Sequence, residues 1–309
     1  MIMDERYAIE RYEQAAALLP LRWRKTVLQL ADWQKATAEE LRLRTGQPIT
    51  VLLPEGEQFV QQETPRMVVE QRDLEQLCDI VTEYSRYAAC QTIGAGYLSA
   101  KGGFRVGICG SAVMHDGRVG NLRDLSSAVI RISRERIGLA EEVIGQLIEE
   151  GSFPNMLIYS APGLGKTTLL RDMIRCLSDG SQSMPSRRVA LADERGEIAV
   201  MYQGTAQMSV GCHTDVLDGC PKSQAIPILL RAANPQILAV DEITQQEDLR
   251  EIVHAANCGV ALLATIHAGN QEELIRKPLF RQLLEIGVFS HAVAIRTVER
   301  TRVYEVHRL

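Results

Sequence analysis

The sequence predicts an α/β core with a mainly parallel sheet, preceded by a small α+β domain. Three observations carry this. From Gly138 onward, short apolar strands alternate with amphipathic helices, the pattern of a parallel sheet covered on both faces. The apolar strand Asn155–Tyr159 runs directly into a glycine-bearing loop and then a helix. Upstream, Ile93–Gly120 holds eight of the chain's 23 glycines, which suits hairpins rather than βα units.

The first domain, residues 1–136, begins with helical spacing. Tyr7–Leu19 and Asp73–Tyr87 carry apolar residues three and four apart, with Leu74, Leu77, Val81 and Tyr84 on one face. Between them Glu40–Arg44 and Ile49–Leu53 read as strands, split by the turn signal Gly46-Gln47-Pro48. Tyr97–Ala100, Phe104–Cys109 and Ser111–Met114 are the further strands, with Lys101-Gly102-Gly103 and Asp116-Gly117 as turns.

The second domain, residues 137–309, reads as alternating elements. They are helix Leu139–Glu150, strand Met156–Tyr159, helix Lys166–Leu177, strand Arg188–Ala192 and helix Lys222–Ala233, then strand Ile237–Val240, helix Asp248–Ala256 and strand Val260–Ile266. Ala292–Arg296 and Val303–His307 would add antiparallel strands at the sheet edge, and Ser178–Ser186 reads as a flexible loop.

Composition narrows the function classes. Lys plus Arg total 34 against 39 Asp plus Glu, a net charge of −5, and only 5% of residues are aromatic. Neither a globally basic nucleic-acid binder nor a base-stacking platform is indicated. Met1–Glu10 carries Asp4, Glu5 and Arg6 and no apolar core, so no secretory signal is expected there. Ile252–Gln271 lacks Asp, Glu, Lys and Arg, but it breaks at Asn257–Gly259, so a helix end followed by a buried strand fits better than a membrane span. The seven cysteines are scattered without a Cys-x-x-Cys pair, which suits reduced thiols; Cys212, His213 and Cys220 lack a second ligand pair for a metal.

The chemistry concentrates in four segments. Ser160, Ala161, Pro162, Gly163, Leu164, Gly165, Lys166, Thr167 and Thr168 form a phosphate-binding loop between strand and helix. Its backbone N–H groups would cradle the phosphates of ATP, Lys166 would reach the β- and γ-phosphates, and the Thr167 hydroxyl would ligate Mg²⁺. Ser160 stands where the usual pattern has its first glycine. Gln236–Val240 is an apolar strand ending in Asp241 and Glu242. Asp241 suits the Mg²⁺ water shell, which leaves Glu242 to polarise the attacking water. Ala261–His267 is another buried strand ending in polar residues, so Thr265 and His267 would point at the γ-phosphate; a structural role for His267 competes. Asp193-Glu194-Arg195-Gly196-Glu197 again sets carboxylates at a strand tip. There Glu194 or Glu197 would orient water or metal, or the cluster is an ordinary ion-pair network.

In order and type these segments resemble the secretion-ATPase branch of the RecA-like P-loop NTPases, with an aspartate box at Asp193–Glu197 and a histidine box at Thr265–His267. Gly102–Gly110, Ile130–Arg134, Lys166–Asp172, Asp193–Arg195 and above all Thr214-Asp-Val-Leu-Asp-Gly-Cys-Pro-Lys222 resemble the stage III sporulation protein AA family. The likeness runs from about Gln91 to Arg296, with Phe104 in place of an expected His and Thr244 in place of an expected Gly. It implies a RecA-like P-loop core and a Mg²⁺-dependent ATPase of the mother cell in endospore formation. Such a protein would energise a secretion-like channel. It would be cytoplasmic, docked on membrane proteins of that complex, and a homo-oligomer, by the resemblance a ring hexamer.

Two features of the basic residues bear on partners. Lys101–Arg136 has seven of them, either a solvated hairpin face or a strip for the phosphates of RNA or DNA. Transferring a phosphoryl group also calls for an arginine beyond Lys166. Arg105, Arg123 and Arg131, near the domain junction, and Arg231, on the helix before the Asp241 strand, are candidates to act on a neighbouring subunit; Arg131 and Arg231 are favoured. The alternative for Arg131 is a surface helix pair with Glu135.

Overall fold

The computed structural model describes residues 5–61, 67–83, 96–115, 117–147, 153–181, 184–299 and 301–309. They form two compact units, Met1–Arg134 and Glu135–Leu309.

The first unit opens with helices α1 (Glu5–Ala16), α2 (Leu21–Val27) and α3 (Asp32–Thr37). Strands β1 (Glu40–Arg44), β2 (Thr50–Leu53) and β3 (Gly56–Phe59), helix α4 (Gln71–Val81), and strands β4 (Tyr97–Ala100), β5 (Phe104–His115) and β6 (Arg118–Arg131) follow. The sheet is antiparallel in the order β3-β2-β1-β6-β5-β4. Strand alternation sends Leu41 and Leu43 of β1 inward, where they meet Tyr12, Trp23, Leu74 and Leu77 from the helices. The Tyr12 hydroxyl donates to the Val27 carbonyl at 2.9 Å, which fixes α1 against α2.

Several expectations change here. Phe104–Cys109 and Ser111–Met114 are one strand with an irregularity between Cys109 and Ser111. Gly110 makes it possible, because a Cβ there would stand 2.6 Å from the Arg123 carbonyl oxygen. The helix expected over Asp73–Tyr87 ends at Val81, and Tyr84–Tyr87 lie outside the described residues. The basic run divides among separate tasks. Arg134 is turned inward, donating to the carbonyls of Ala38 at 2.6 Å and Lys35 at 2.8 Å. Arg105 lies over the Tyr97 ring, 3.8 Å from its centre. Arg131 stands on β6, not on a helix, with its Nε 3.6 Å from Glu40, while Glu135 accepts the Ser209 N–H.

The second unit contains helix α5 (Ala140–Leu147), strand β7 (Met156–Ser160), helix α6 (Lys166–Asp179), strand β8 (Val189–Asp193) and the small pair β9 (Met201–Tyr202) and β10 (Thr205–Ala206). After these come β11 (Thr214–Asp218), α7 (Lys222–Ala233), β12 (Ile237–Glu242), α8 (Gln246–Asn257) and β13 (Ala261–His267). The chain continues with α9 (Gln271–Arg276), α10 (Pro278–Ile286), β14 (His291–Val298) and β15 (Thr301–Arg308). The sheet order is β11-β8-β12-β13-β7-β14-β15. Every neighbouring pair is parallel except β14 with β15. The C-terminal strands therefore differ from expectation: β14 is an interior strand parallel to β7, and β15 alone is the antiparallel edge.

Both faces of this sheet are covered, as its apolar strands require. Leu157 and Tyr159 of β7 pack with Ile252 and Phe280 on one face, and Met156 and Ile158 with Ile144 and Leu170 on the other. Asn155, just before β7, accepts the Leu262 N–H at 2.9 Å and donates to the Val288 carbonyl at 2.8 Å, which ties the strand's start to its surroundings. In β12 the register with β13 shifts between Val240 and Glu242, so Asp241 is an extra residue. Ser178, placed in a loop from sequence, belongs to the last turn of α6 and is fully buried. The run Ile252–Gln271 resolves into the end of α8, strand β13 and the start of α9. Among the described residues no helix is long and apolar enough to cross a membrane.

Candidate active site

The parallel strands deliver their carboxyl ends to one edge of the sheet, and the four chemical segments meet there. A cleft of about 310 Å³ is lined by Gly163, Gly165, Lys166, Thr167 and Thr168 from the loop after β7, by Arg195 and Glu197, and by Asp241, Glu242, Thr265 and His267. Gly165 precedes α6 with φ +98°, a left-handed conformation that favours glycine, and it turns the first N–H groups of the helix toward the cleft. Ser160 is the last residue of β7; it is buried and donates its hydroxyl to the Ala161 carbonyl at 2.8 Å, so the missing glycine is accommodated by a local bond. Ser160, Ala161, Pro162 and Leu164 shape the loop without lining the cleft.

A chain of polar contacts crosses the cleft. Lys166 Nζ lies 2.6 Å from His267 Nδ1 and 3.4 Å from the Ser160 carbonyl. On the other side of the ring, His267 Nε2 lies 3.0 Å from Glu242 Oε2, and Arg195 Nη1 reaches the same oxygen at 3.7 Å. The neutral ring that fits these contacts accepts from Lys166 at Nδ1 and donates to Glu242 at Nε2. Burial lowers the Lys166 pKa below the ordinary lysine value; the Glu242 charge opposes this and the nearby Lys277 adds to it. Lys277 also donates to the His267 carbonyl, which fixes the end of β13.

Behind the cleft a second cluster holds the strand tips together. Lys222, the first residue of α7, is buried between Asp241 Oδ1, at 2.8 Å, and Glu194. Burial works against its charge, but the hydrogen bonds and charges of Asp241 and Glu194 outweigh it and raise its pKa. Burial likewise pushes the Asp241 carboxyl up, against the pull of Lys222. Glu194 faces Lys222 and does not line the cleft. Asp193 accepts the N–H groups of Glu197, Ile198 and Ala199 at 2.9–3.0 Å, so it shapes the turn that carries Arg195. Arg231 lies on the exposed side of α7 and donates to its own Pro227 carbonyl at 3.0 Å.

Sequence reasoning placed the cleft residues but assigned no role to Lys222. A signal existed: a lysine directly after Pro221 at a helix start puts a cation at the positive end of the helix dipole, which calls for nearby carboxylates. Thr167 and Asp241 both line the cleft and offer hydroxyl and carboxylate oxygens, hard donors of the kind that suit Mg²⁺. Among the described residues no group of three or more His, Cys, Asp or Glu side chains forms a metal cage.

This fold is the RecA-like P-loop architecture of the secretion ATPases. The ATPase DotB of Legionella pneumophila superposes with a TM-score of 0.56 at 16% identity, over 87% of this chain and 76% of that one. The pilus retraction motor PilT, solved with bound ADP, gives 0.60 at 18% identity, over 93% and 82%. The family is narrower still. The chain belongs to the sporulation stage III, protein AA family, whose model matches residues 9–305. It is 32% identical to stage III sporulation protein AA of Bacillus subtilis over 276 residues, 89% of this chain and 88% of the relative. Competence protein ComGA of Streptococcus pneumoniae is 23% identical over 233 residues, 72% of this chain and 67% of ComGA.

Proposed function

We propose that this chain is the ATP-hydrolysing motor of a secretion-like channel complex in endospore formation. It works in the mother-cell cytoplasm, peripheral to the membrane through membrane-protein partners, as a homo-oligomer that closes into a ring hexamer. The observation that carries the reading is the contact chain Lys166–His267–Glu242 across the mouth of the phosphate loop. A carboxylate held at that place can accept a proton from an attacking water, which is what hydrolysis needs beyond binding.

In the proposed cycle the γ-phosphate takes Lys166 away from His267, as a doubly charged partner outcompetes a neutral ring nitrogen. Glu242 takes a proton from the attacking water as its oxygen bonds to the γ-phosphorus and the bond to the ADP oxygen breaks. Thr167 and Asp241 would hold Mg²⁺, which would supply positive charge to the β- and γ-phosphates. His267, between the lysine and the carboxylate, reports whether the γ-phosphate is present. An arginine from a neighbouring subunit, Arg131 or Arg231, completes the charge balance. The alternative, an RNA- or DNA-binding strip between Lys101 and Arg136, is weakened by the inward Arg134 and the stacked Arg105.

The test is a pair of variants. Lys166→Ala should lose ATP binding, since the loop loses its cation. Glu242→Gln should bind ATP as the wild type does and hydrolyse at least about 10²-fold more slowly, the usual scale of general-base loss. Wild-type turnover by Glu242→Gln would overturn the assignment of the base.

A further inference from the structure

We propose that Arg302, on the C-terminal hairpin, is a nucleotide-binding residue that acts in its own subunit and grips the α-phosphate. The proposal rests on the phosphate-loop reading and extends it to a residue outside all four chemical segments.

The register of the sheet brings Arg302 to the loop. Strand β14 pairs with β7 only as far as Ala294 opposite Tyr159, then continues to Val298. Arg302 of β15 stands opposite Thr297, three positions past that last pair. At about 3.3 Å per residue it sits roughly 10 Å further along, level with the loop that follows β7. The contact is close: a Cβ on Gly165 would stand 3.0 Å from Arg302 Nη1 and 3.9 Å from the Thr168 Cβ. Gly165 thus leaves room for a guanidinium as well as for phosphate.

Arg302 is also a cation without an anion. It is half-buried, and among the described residues no hydrogen bond or ion pair engages its guanidinium. Its hairpin neighbour Arg296, in contrast, pairs with Glu305 at 3.3 Å. The carboxylate of Asp172, on the adjoining α6, is already taken by the Ala140 N–H and Arg175, each at 2.8 Å. A partly desolvated guanidinium beside an anion-binding loop lacks only its anion.

Position selects the α-phosphate. Arg302 does not line the cleft formed with Asp241, Glu242 and His267, where the γ-phosphate belongs. A Cβ on Gly165 would meet both Arg302 and, in the first turn of α6, Thr168, and loops of this kind cradle the α- and β-phosphates with the backbone at the helix start. The residue would then bind ATP and ADP alike and ignore the γ-phosphate.

Calorimetric titration of wild type and Arg302→Gln with ATP, ADP and pyrophosphate tests this, with melting temperatures measured alongside. A charge-assisted contact predicts about tenfold weaker binding of both ATP and ADP, equal for the two, with pyrophosphate unaffected. Wild-type ADP affinity in Arg302→Gln would overturn the proposal, as would an equal loss for pyrophosphate. A wild type that binds none of the three would instead overturn the phosphate-loop reading itself. Should Arg302→Gln fail to fold, Arg302→Lys decides: weaker ADP binding at an unchanged melting temperature supports the contact, and unaltered binding refutes it.

Discussion

The Lys222 ammonium lies 2.8 Å from Asp241 Oδ1, so the start of α7 is bound to the tip of β12 by a buried ion pair. Breaking such a pair from one side leaves a charge without compensation, which costs about 3–5 kcal/mol. Lys222→Met should therefore lower unfolding free energy in urea by about that much. Adding Asp241→Asn and Glu194→Gln should restore a large part. Because folding raises the lysine pKa above its unfolded value of 10.5, the wild-type advantage should be complete at neutral pH and fade only as pH climbs beyond that value. A cost under about 1 kcal/mol would show that the pair is not structural.

His267 touches Lys166 and Glu242 at once, so its removal should separate binding from chemistry. His267→Ala should bind ADP with wild-type affinity, while hydrolysis, or its coupling to assembly, is lost. Fluorescence titration and phosphate release measure the two. Equal loss of ATP and ADP binding with a lowered melting temperature would make His267 a structural residue.

Completion of the site between subunits is checked by mixing. Lys166→Ala chains combined with Arg131→Ala or Arg231→Ala chains, each inactive alone, should recover part of the ATPase activity, because some interfaces then hold an intact loop and an intact arginine. A trans arginine contributes about 10³–10⁵ in rate, so even a small fraction of such interfaces is measurable. Co-assembly without recovery at any ratio would exclude both residues.

Much of the architecture was legible because local and global signals agree. The strand leading into Gly163–Thr168 and the strand ending at Asp241 read directly from four or five apolar residues, and both are fully buried up to that point. What the sequence hid was pairing. Strand β6 is 14 residues long but mixes Arg123, Asp124, Ser126 and Ser127 among its apolar positions, because its outer half faces solvent. Strand β11, Thr-Asp-Val-Leu-Asp at a sheet edge, carries neither a continuous apolar run nor a period of two, and none of its residues is fully buried. At the site, residues that open the phosphate loop or end an apolar strand were legible, and residues supplied from outside those segments were not. Pro221-Lys222 at a helix start hints that carboxylates lie near, but which ones, and that Arg302 reaches the phosphate loop, follow only from register and topology.

The extra residue in β12 gives neighbouring carboxylates different addresses. Thr265 faces Glu242 and Ala264 faces Val240, with Asp241 unmatched between them. The shorter acid is tied to α7 through Lys222, and the longer one to β13 through His267. The pair is therefore a word with a fixed spelling. The double exchange Asp241→Glu with Glu242→Asp conserves composition and charge, yet it lengthens one link by a methylene and shortens the other by the same amount. Helix and strand would each receive the wrong reach, so the two letters do not commute.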